Sequence, residues 1–250
     1  MTTKIVILQP CYFPWGGVFE QIVNADIYVH YDDVQFPQGR SFTNRVQVKT
    51  GNGSVKGNDG VVWMTVPVRH DGLRPINKTD VDYTQSWQRK HSQLFRQATA
   101  KSPFARDAVE IFDPIVSKEW ESIAALNMAG IEAVARYFDF ETSFYRSSEL
   151  GIGSSSTKRL VEICKHFGAD IYITGMGAKN YVDYEQFEKA NIRLEYMEYE
   201  KHPYPQLHGD FTPYVTTLDL IANCGKEGAK YLSSGTRYWK EVIPQEMAQE

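Results

Sequence analysis

"GIGSSSTKRLVEICKHFGADIYITGMGAKNYVD", residues 151–183, decides how the chain is organised. It opens with a loop of glycine and serine and continues as an amphipathic helix. Gly168 stands where a helix C-cap belongs, residues 170–174 form an apolar strand, and Gly175 and Gly177 then make a turn. A helix over about 184–190 leads to a second strand, "IRLEYMEY", at 192–199. Two strands joined through a helix lie parallel, because the crossover returns the chain to the same edge of the sheet.

The same grammar appears at the N-terminal end. "KIVIL" reads as a buried strand over 4–9. A helix over 16–24 follows, with Val18, Phe19, Ile22 and Val23 on one side, and then a strand over 26–31. Between these parallel units lie "SFTNRVQVK" and "VVWMTVPV", separated by the turn-forming "TGNGSVKGNDG", which reads as an exposed hairpin or excursion. Two helical stretches follow. Trp87, His91, Leu94, Phe95 and Ala98 share one face of the first, and Trp120, Ile123, Asn127, Ile131, Val134 and Phe138 one face of the second, with Pro103 and Pro114 as punctuation. The expectation is an α/β protein with a Rossmann-like layered fold, a mostly parallel sheet and a helical insertion or cap around 86–138. One domain is expected over 1–240, with 241–250 as a C-terminal tail.

Composition narrows the function. A net charge of −4 and a pI of about 5.9 lack the basic footprint of a nucleic-acid binder, so no nucleic-acid partner is expected. No apolar run reaches 18 residues, so no membrane span is expected. Cys11, Cys164 and Cys224 are odd in number and widely spaced, as for reduced thiols. Residues 1–4 enter the first strand with no apolar leader, and together these features point to the cytoplasm. Neither H-x₃-H nor H-E-x-x-H occurs, so neither metal nor cofactor is called for.

"LQPCYFPWGGVFEQI", residues 8–22, is the first place to look for a site, since connecting loops are normally small and polar. Gly16 and Gly17 would let the backbone approach a ligand at a helix N-terminus, and Tyr12 and Trp15 would supply flat walls. The alternative is that the prolines stiffen a turn whose aromatics cap the core. Compared with the H-x-G-H motif of adenylyl-transferring enzymes, Trp15-Gly16-Gly17-Val18 keeps the glycine and lacks both imidazoles, which counts against nucleotidyl transfer. Cys11 reads as a small buried thiol rather than a nucleophile.

Asp32 and Asp33 end the second strand, where open α/β sheets bind ligands, and either carboxylate could serve as a general base or form a turn. Arg45, beside Asn44, could pair with Asp33 or grip a phosphate in bidentate fashion. His30 reads as a packed core histidine. "GSSSTKRL" places Lys158 at a helix start, a phosphate-sized arrangement that N-capping alone would also explain. Gly175, Gly177, Lys179 and Asn180 form a second such loop. His208 and Asp210 share a proline-flanked loop and could act as an acid–base pair.

Taken together, "QPCYFPWGGVFEQI", "ADIYVHYDDVQF" with "NRVQVK", "WMTVPV", "WQRKH", "YITGMGAKNYV" and "GDFTPYVTTLDLIANCG" resemble the WbqC-like protein family, in the family's order and over nearly the whole chain. Cys11 departs from the family pattern. The family's recurrent positions map onto Gln9, Pro10, Tyr12, Pro14, Trp15, Gly17, Asp32, Asp33, Asn44, Arg45, Gly175, Lys179, Tyr181, Phe211 and Asp219. The resemblance implies a setting in surface-polysaccharide biosynthesis, including lipopolysaccharide O-antigen and deoxyamino sugars, without supplying a mechanism.

The function expected is therefore a transferase acting on a nucleotide-linked amino sugar, attaching an acyl or aminoacyl group from a thioester or carrier protein. Asp33, His208 or Asp32 would move the proton. Gln9, Tyr12, Trp15, Gly16, Gly17, Asn44, Arg45, Lys158, Gly175, Gly177, Lys179 and Tyr181 would bind ligand. An ATP-dependent ligase or nucleotidyltransferase-like enzyme and a non-catalytic sugar-nucleotide-binding scaffold are the alternatives.

Overall fold

A computed structural model describes residues 2–39, 41–51, 60–69 and 72–243. Six strands form the main sheet: β1 (Lys4–Leu8), β2 (Ile27–His30), β5 (Ser143–Arg146), β6 (Ile171–Thr174), β7 (Arg193–Met197) and β8 (Thr236–Tyr238). Their spatial order is β5-β2-β1-β6-β7-β8. The first five run parallel and β8 is antiparallel to β7. Counted within the sheet, the order is 3-2-1-4-5-6, that of a doubly wound Rossmann-like fold. A separate antiparallel pair, β3 (Arg45–Lys49) and β4 (Val61–Thr65), flanks the "TGNGSVKGNDG" stretch, of which residues 52–59 lie outside the described residues.

The sheet separates two apolar cores, and alternation along β1 shows how. Val6 points into one core with Phe19 and Ile22 of α1 (Gly16–Val23). Ile5 and Ile7 point into the other, with Leu160 and Ile163 of α5 (Ser156–His166) and Phe187 of α6 (Tyr184–Lys189). The first core also takes α2 (Trp87–Thr99), α3 (Ala105–Val116), α4 (Ile123–Tyr137) and α7 (Thr217–Cys224). A last short helix, α8 (Trp239–Val242), closes the second core, and Ile243 is buried there.

Several expectations change in detail. The insertion between β2 and β5 begins at the hairpin rather than at residue 86. Pro114 lies inside α3, where Ala108, Phe112, Ile115 and Val116 bury enough apolar surface to hold a proline in the final turn. Val23 is 45% exposed rather than packed. Strands β5 and β8 occupy the sheet edges, are mostly exposed or half-buried, and so carry no apolar run to announce them. Gly168 has φ +62°, as its capping role requires.

Candidate functional site

The sheet order reverses at β1, whose neighbours β2 and β6 are reached by crossovers running in opposite directions. A crevice outside the carboxyl ends of the strands is expected there. A cavity of about 690 Å³ occupies that place, walled by Leu8 and Gln9 at the end of β1, Tyr31 after β2, and Thr174 and Gly175 at the end of β6. Trp15, Tyr199 and Tyr214 wall one flank, and Phe42, Thr43 and Arg45 another.

The stiff turn after β1 is shaped by the insertion packed against it. Asn127 Nδ2 donates to the carbonyls of Pro10 (3.0 Å) and Thr43 (2.6 Å). Thr217 donates to the Pro14 carbonyl through both N–H (2.9 Å) and Oγ1 (2.8 Å). Tyr12 is fully buried, its hydroxyl 3.0 Å from His91 Nδ1. Phe13, at φ +38°, packs on Phe112 at 5.0 Å between ring centres. The aromatics at 12 and 13 therefore anchor the turn to α2 and α3, and Trp15 alone of the three faces the cavity.

Trp15 stands between Tyr199 (5.3 Å) and Tyr214 (5.6 Å). Gly17 lies under its indole, where a Cβ would come within 2.3 Å of the ring, so this glycine makes room for Trp15 rather than for a ligand. Gly16 borders a separate small cavity of about 30 Å³ behind Trp15. Gly175 meets Tyr199 in the same way, an added Cβ standing 2.9 Å from the phenol oxygen. Gln21 Nε2 donates to that oxygen at 2.7 Å.

The wall formed by residues 199–216 is fixed from beneath by buried Lys49. Its ammonium donates to Gln206 Oε1 (2.9 Å) and to the carbonyls of Gly209 (3.1 Å) and Asp210. Asp219 accepts from Tyr204 and Gln206, both at 2.8 Å. Burial lowers the Lys49 pKa and raises that of Asp219, and each one's charge counteracts the other's shift. His208, at φ +69°, brings Nε2 to 2.7 Å from the Ala98 carbonyl and fastens the loop to α2.

Of the three carboxylate and imidazole groups expected to move protons, Asp32 and His208 are thus engaged away from the cavity. Asp32 is buried and accepts from Ser147 Oγ (3.1 Å), Ser148 N–H (3.0 Å), Ser148 Oγ (2.7 Å) and Asn77 Nδ2 (3.3 Å). Asp33 pairs with Arg159 at 2.5 Å and accepts from Ser147 Oγ at 2.5 Å. The Arg159 guanidinium lies 5.1 Å from the centre of the Tyr31 ring. Asp33 therefore reaches the cavity through Arg159 and Tyr31, and Arg45 is left without it.

The expected ligand binders divide as well. Gln9, Trp15, Arg45, Gly175, Gly177 and Tyr181 line the cavity. Asn44 braces the hairpin through Nδ2 to the Val66 carbonyl at 2.9 Å. Lys158 is exposed and 3.9 Å from Glu162, and Lys179 is exposed; neither lines the cavity. Ser156, at the start of α5, does line it, and Ser155 makes no side-chain capping bond there. Cys11 lines the cavity too, but burial pushes its thiol up to about 12, so it stays protonated at neutral pH. Tyr31, Tyr199 and Tyr214 escaped the sequence reading. Tyr31 and Tyr199 follow the ends of β2 and β7, a signal that becomes legible only once the strand order is known.

The family model for the WbqC-like protein family matches residues 9–231. The chain belongs to the WbqC-like family. A relative, "Uncharacterized protein Rv1507c" of Mycobacterium tuberculosis (strain ATCC 25618 / H37Rv), is 31% identical over 233 residues, covering 92% of this chain and 97% of that protein. No solved structure matches the chain. The WbqC-like match begins at Gln9, the first residue of the turn that enters the cavity.

Proposed function

We propose that this WbqC-like protein is a cytoplasmic transferase that binds a nucleotide-linked amino sugar in the cavity between β1 and β6 and attaches an acyl or aminoacyl group to it during surface-polysaccharide assembly. One observation carries the reading: a cavity of about 690 Å³ at the reversal of a doubly wound sheet, walled by Trp15, Tyr31, Tyr199 and Tyr214. Aromatic faces of this kind suit a base or a pyranose, and the volume suits a ligand of nucleotide-sugar size. The amine nitrogen of the sugar attacks the carbonyl carbon of an acyl thioester. The C–N bond forms, the C–S bond breaks, and the ammonium proton passes to the departing thiolate. In this reading, N–H groups of the turn around Gly175 and Gly177, both of which line the cavity, stabilise the oxyanion that forms on the way. Tyr31, which lines the cavity beside the Asp33–Arg159 pair, relays the proton in this reading.

A second reading has its own support. No Asp, Glu or His is among the described residues that line the cavity, as would suit a protein that binds and presents a sugar nucleotide without transforming it.

Thermal unfolding against nucleotides, nucleotide sugars, amino sugars and coenzyme A thioesters tests the reading. A ligand at about a hundred times its dissociation constant adds roughly 2.7 kcal/mol, a rise of roughly 5–10 °C for a domain of this size. A rise confined to one nucleotide sugar is the expected result. A rise with ATP alone would favour the ligase, and no rise with any compound would contradict the proposal. Tyr31→Phe separates the two readings, since an enzyme keeps its ligand and loses turnover, whereas a binder loses nothing but affinity.

A further inference from the structure

Arg45 is the sole charged side chain among the described residues that line the cavity. Its guanidinium lies 4.1 Å from the centre of the Trp63 ring, a diagonal cross-strand neighbour on the hairpin, opposite Gln47. Stacking fixes the plane of the fork and leaves its edges free to donate. The Nε atom is buried and has no hydrogen-bond partner among the described residues, and Arg45 is not held by any described carboxylate. Asp33, the nearest candidate by sequence, is taken by Arg159. A guanidinium at the wall of a cavity with no carboxylate partner is satisfied best by an oxyanion, through two parallel N–H donations.

The remaining polar groups around the cavity are neutral, Gln9, Gln21, Thr43, Ser156 and Thr174 among them. The cations first expected to hold phosphate, Lys158 and Lys179, do not line the cavity. From this we infer that the ligand's negative charge is held at one point, by a phosphoryl group against Arg45, with Trp63 as the residue that positions the fork. The ring system of the ligand then lies across the cavity toward Trp15 and Tyr199. This inference rests on the nucleotide-sugar reading for the identity of the ligand, but the anion site itself does not depend on it.

The test observes the arginine side chain directly. In the ¹⁵N-labelled full chain, the Nε–H resonance of Arg45 is assigned by its loss in Arg45→Lys, and the wild type is titrated with inorganic pyrophosphate and with acetate. The Arg45 resonance should move and saturate with pyrophosphate, at lower concentration than with acetate, while the other arginine resonances stay in place. Trp63→Leu should weaken that response, and Arg45→Ala should weaken binding of any nucleotide sugar roughly tenfold or more. An unmoved Arg45 resonance would overturn the inference, and so would tighter binding of acetate than of pyrophosphate. The two proposals fail separately. If Arg45 answers pyrophosphate but no nucleotide sugar raises the unfolding temperature, the transferase reading falls and the anion site stands. If a nucleotide sugar binds wild type and Arg45→Ala alike, the reverse holds.

Discussion

A Cβ on Gly17 would stand 2.3 Å from the Trp15 indole, too close for any rotamer of the ring to stay where it is. Gly17→Ala should therefore displace the cavity's central wall, at a cost of about 1–3 kcal/mol in stability and with a fall in ligand affinity. Urea unfolding and calorimetric titration read the two effects, and unchanged affinity would show that Trp15 does not wall the site. His91 gives a second prediction. Burial lowers its pKa from 6.5 to about 4, so the folded state holds a neutral ring against Tyr12. The unfolded chain takes up a proton near pH 6.5 and the folded chain does not until about pH 4. The stability present above pH 6.5 is lost as pH falls toward 4 and then levels off, amounting to about 3 kcal/mol. His91→Gln should lose this pH dependence, measured as the difference in urea midpoint between the two proteins across the range. At this scale the sequence was legible in part. The aromatic turn announces that residues 10–17 hold a shape, but whether each ring faces core or cavity depends on α2 and α3, which begin only at Trp87 and Ala105.

Among the elements, the segment 199–216 matters most to the cavity and is the least regular. It has no helix or strand of its own and is held by Lys49 on β3, through Gln206, Gly209 and Asp210. Lys49→Met takes the ammonium from the Gly209 and Asp210 carbonyls and from Gln206 Oε1, which keeps its bond from Thr212 N–H, and leaves Asp219 without its neighbouring cation. A loss of roughly 2–4 kcal/mol should follow, together with a loosened Tyr199–Tyr214 wall. Denaturant unfolding checks the first effect and ligand affinity the second; an unaltered midpoint would refute the role given to Lys49. Strongly periodic helices such as α2 and α4 could be read from their apolar faces, and so could the central strands β1, β2, β6 and β7 from their buried runs. Strand β5, with three of its four residues exposed, could not, because an edge strand has no second face to bury. A segment such as 199–216, held by Lys49 of a distant hairpin, by Asp219 and by the His208 contact with α2, leaves no periodic trace.

For the whole molecule, the parallel layering followed from two short helix-joined strand pairs, but the 3-2-1-4-5-6 order did not, because pairing partners are set by contacts far apart in sequence. That order sets the crevice at the carboxyl ends of β1 and β6, the place proposed for the ligand, and gathers Gln9, Tyr31, Gly175 and Arg45 from four separate segments around one cavity. The most direct measurement is a map of backbone amide shifts in the ¹⁵N-labelled protein, titrated with the nucleotide sugar that raises its unfolding temperature. Shifts concentrated at residues 9–15, 31, 41–46, 174–181 and 199 are the predicted result. Shifts centred on another face, with these residues unmoved, would contradict the assignment of this cavity as the functional site.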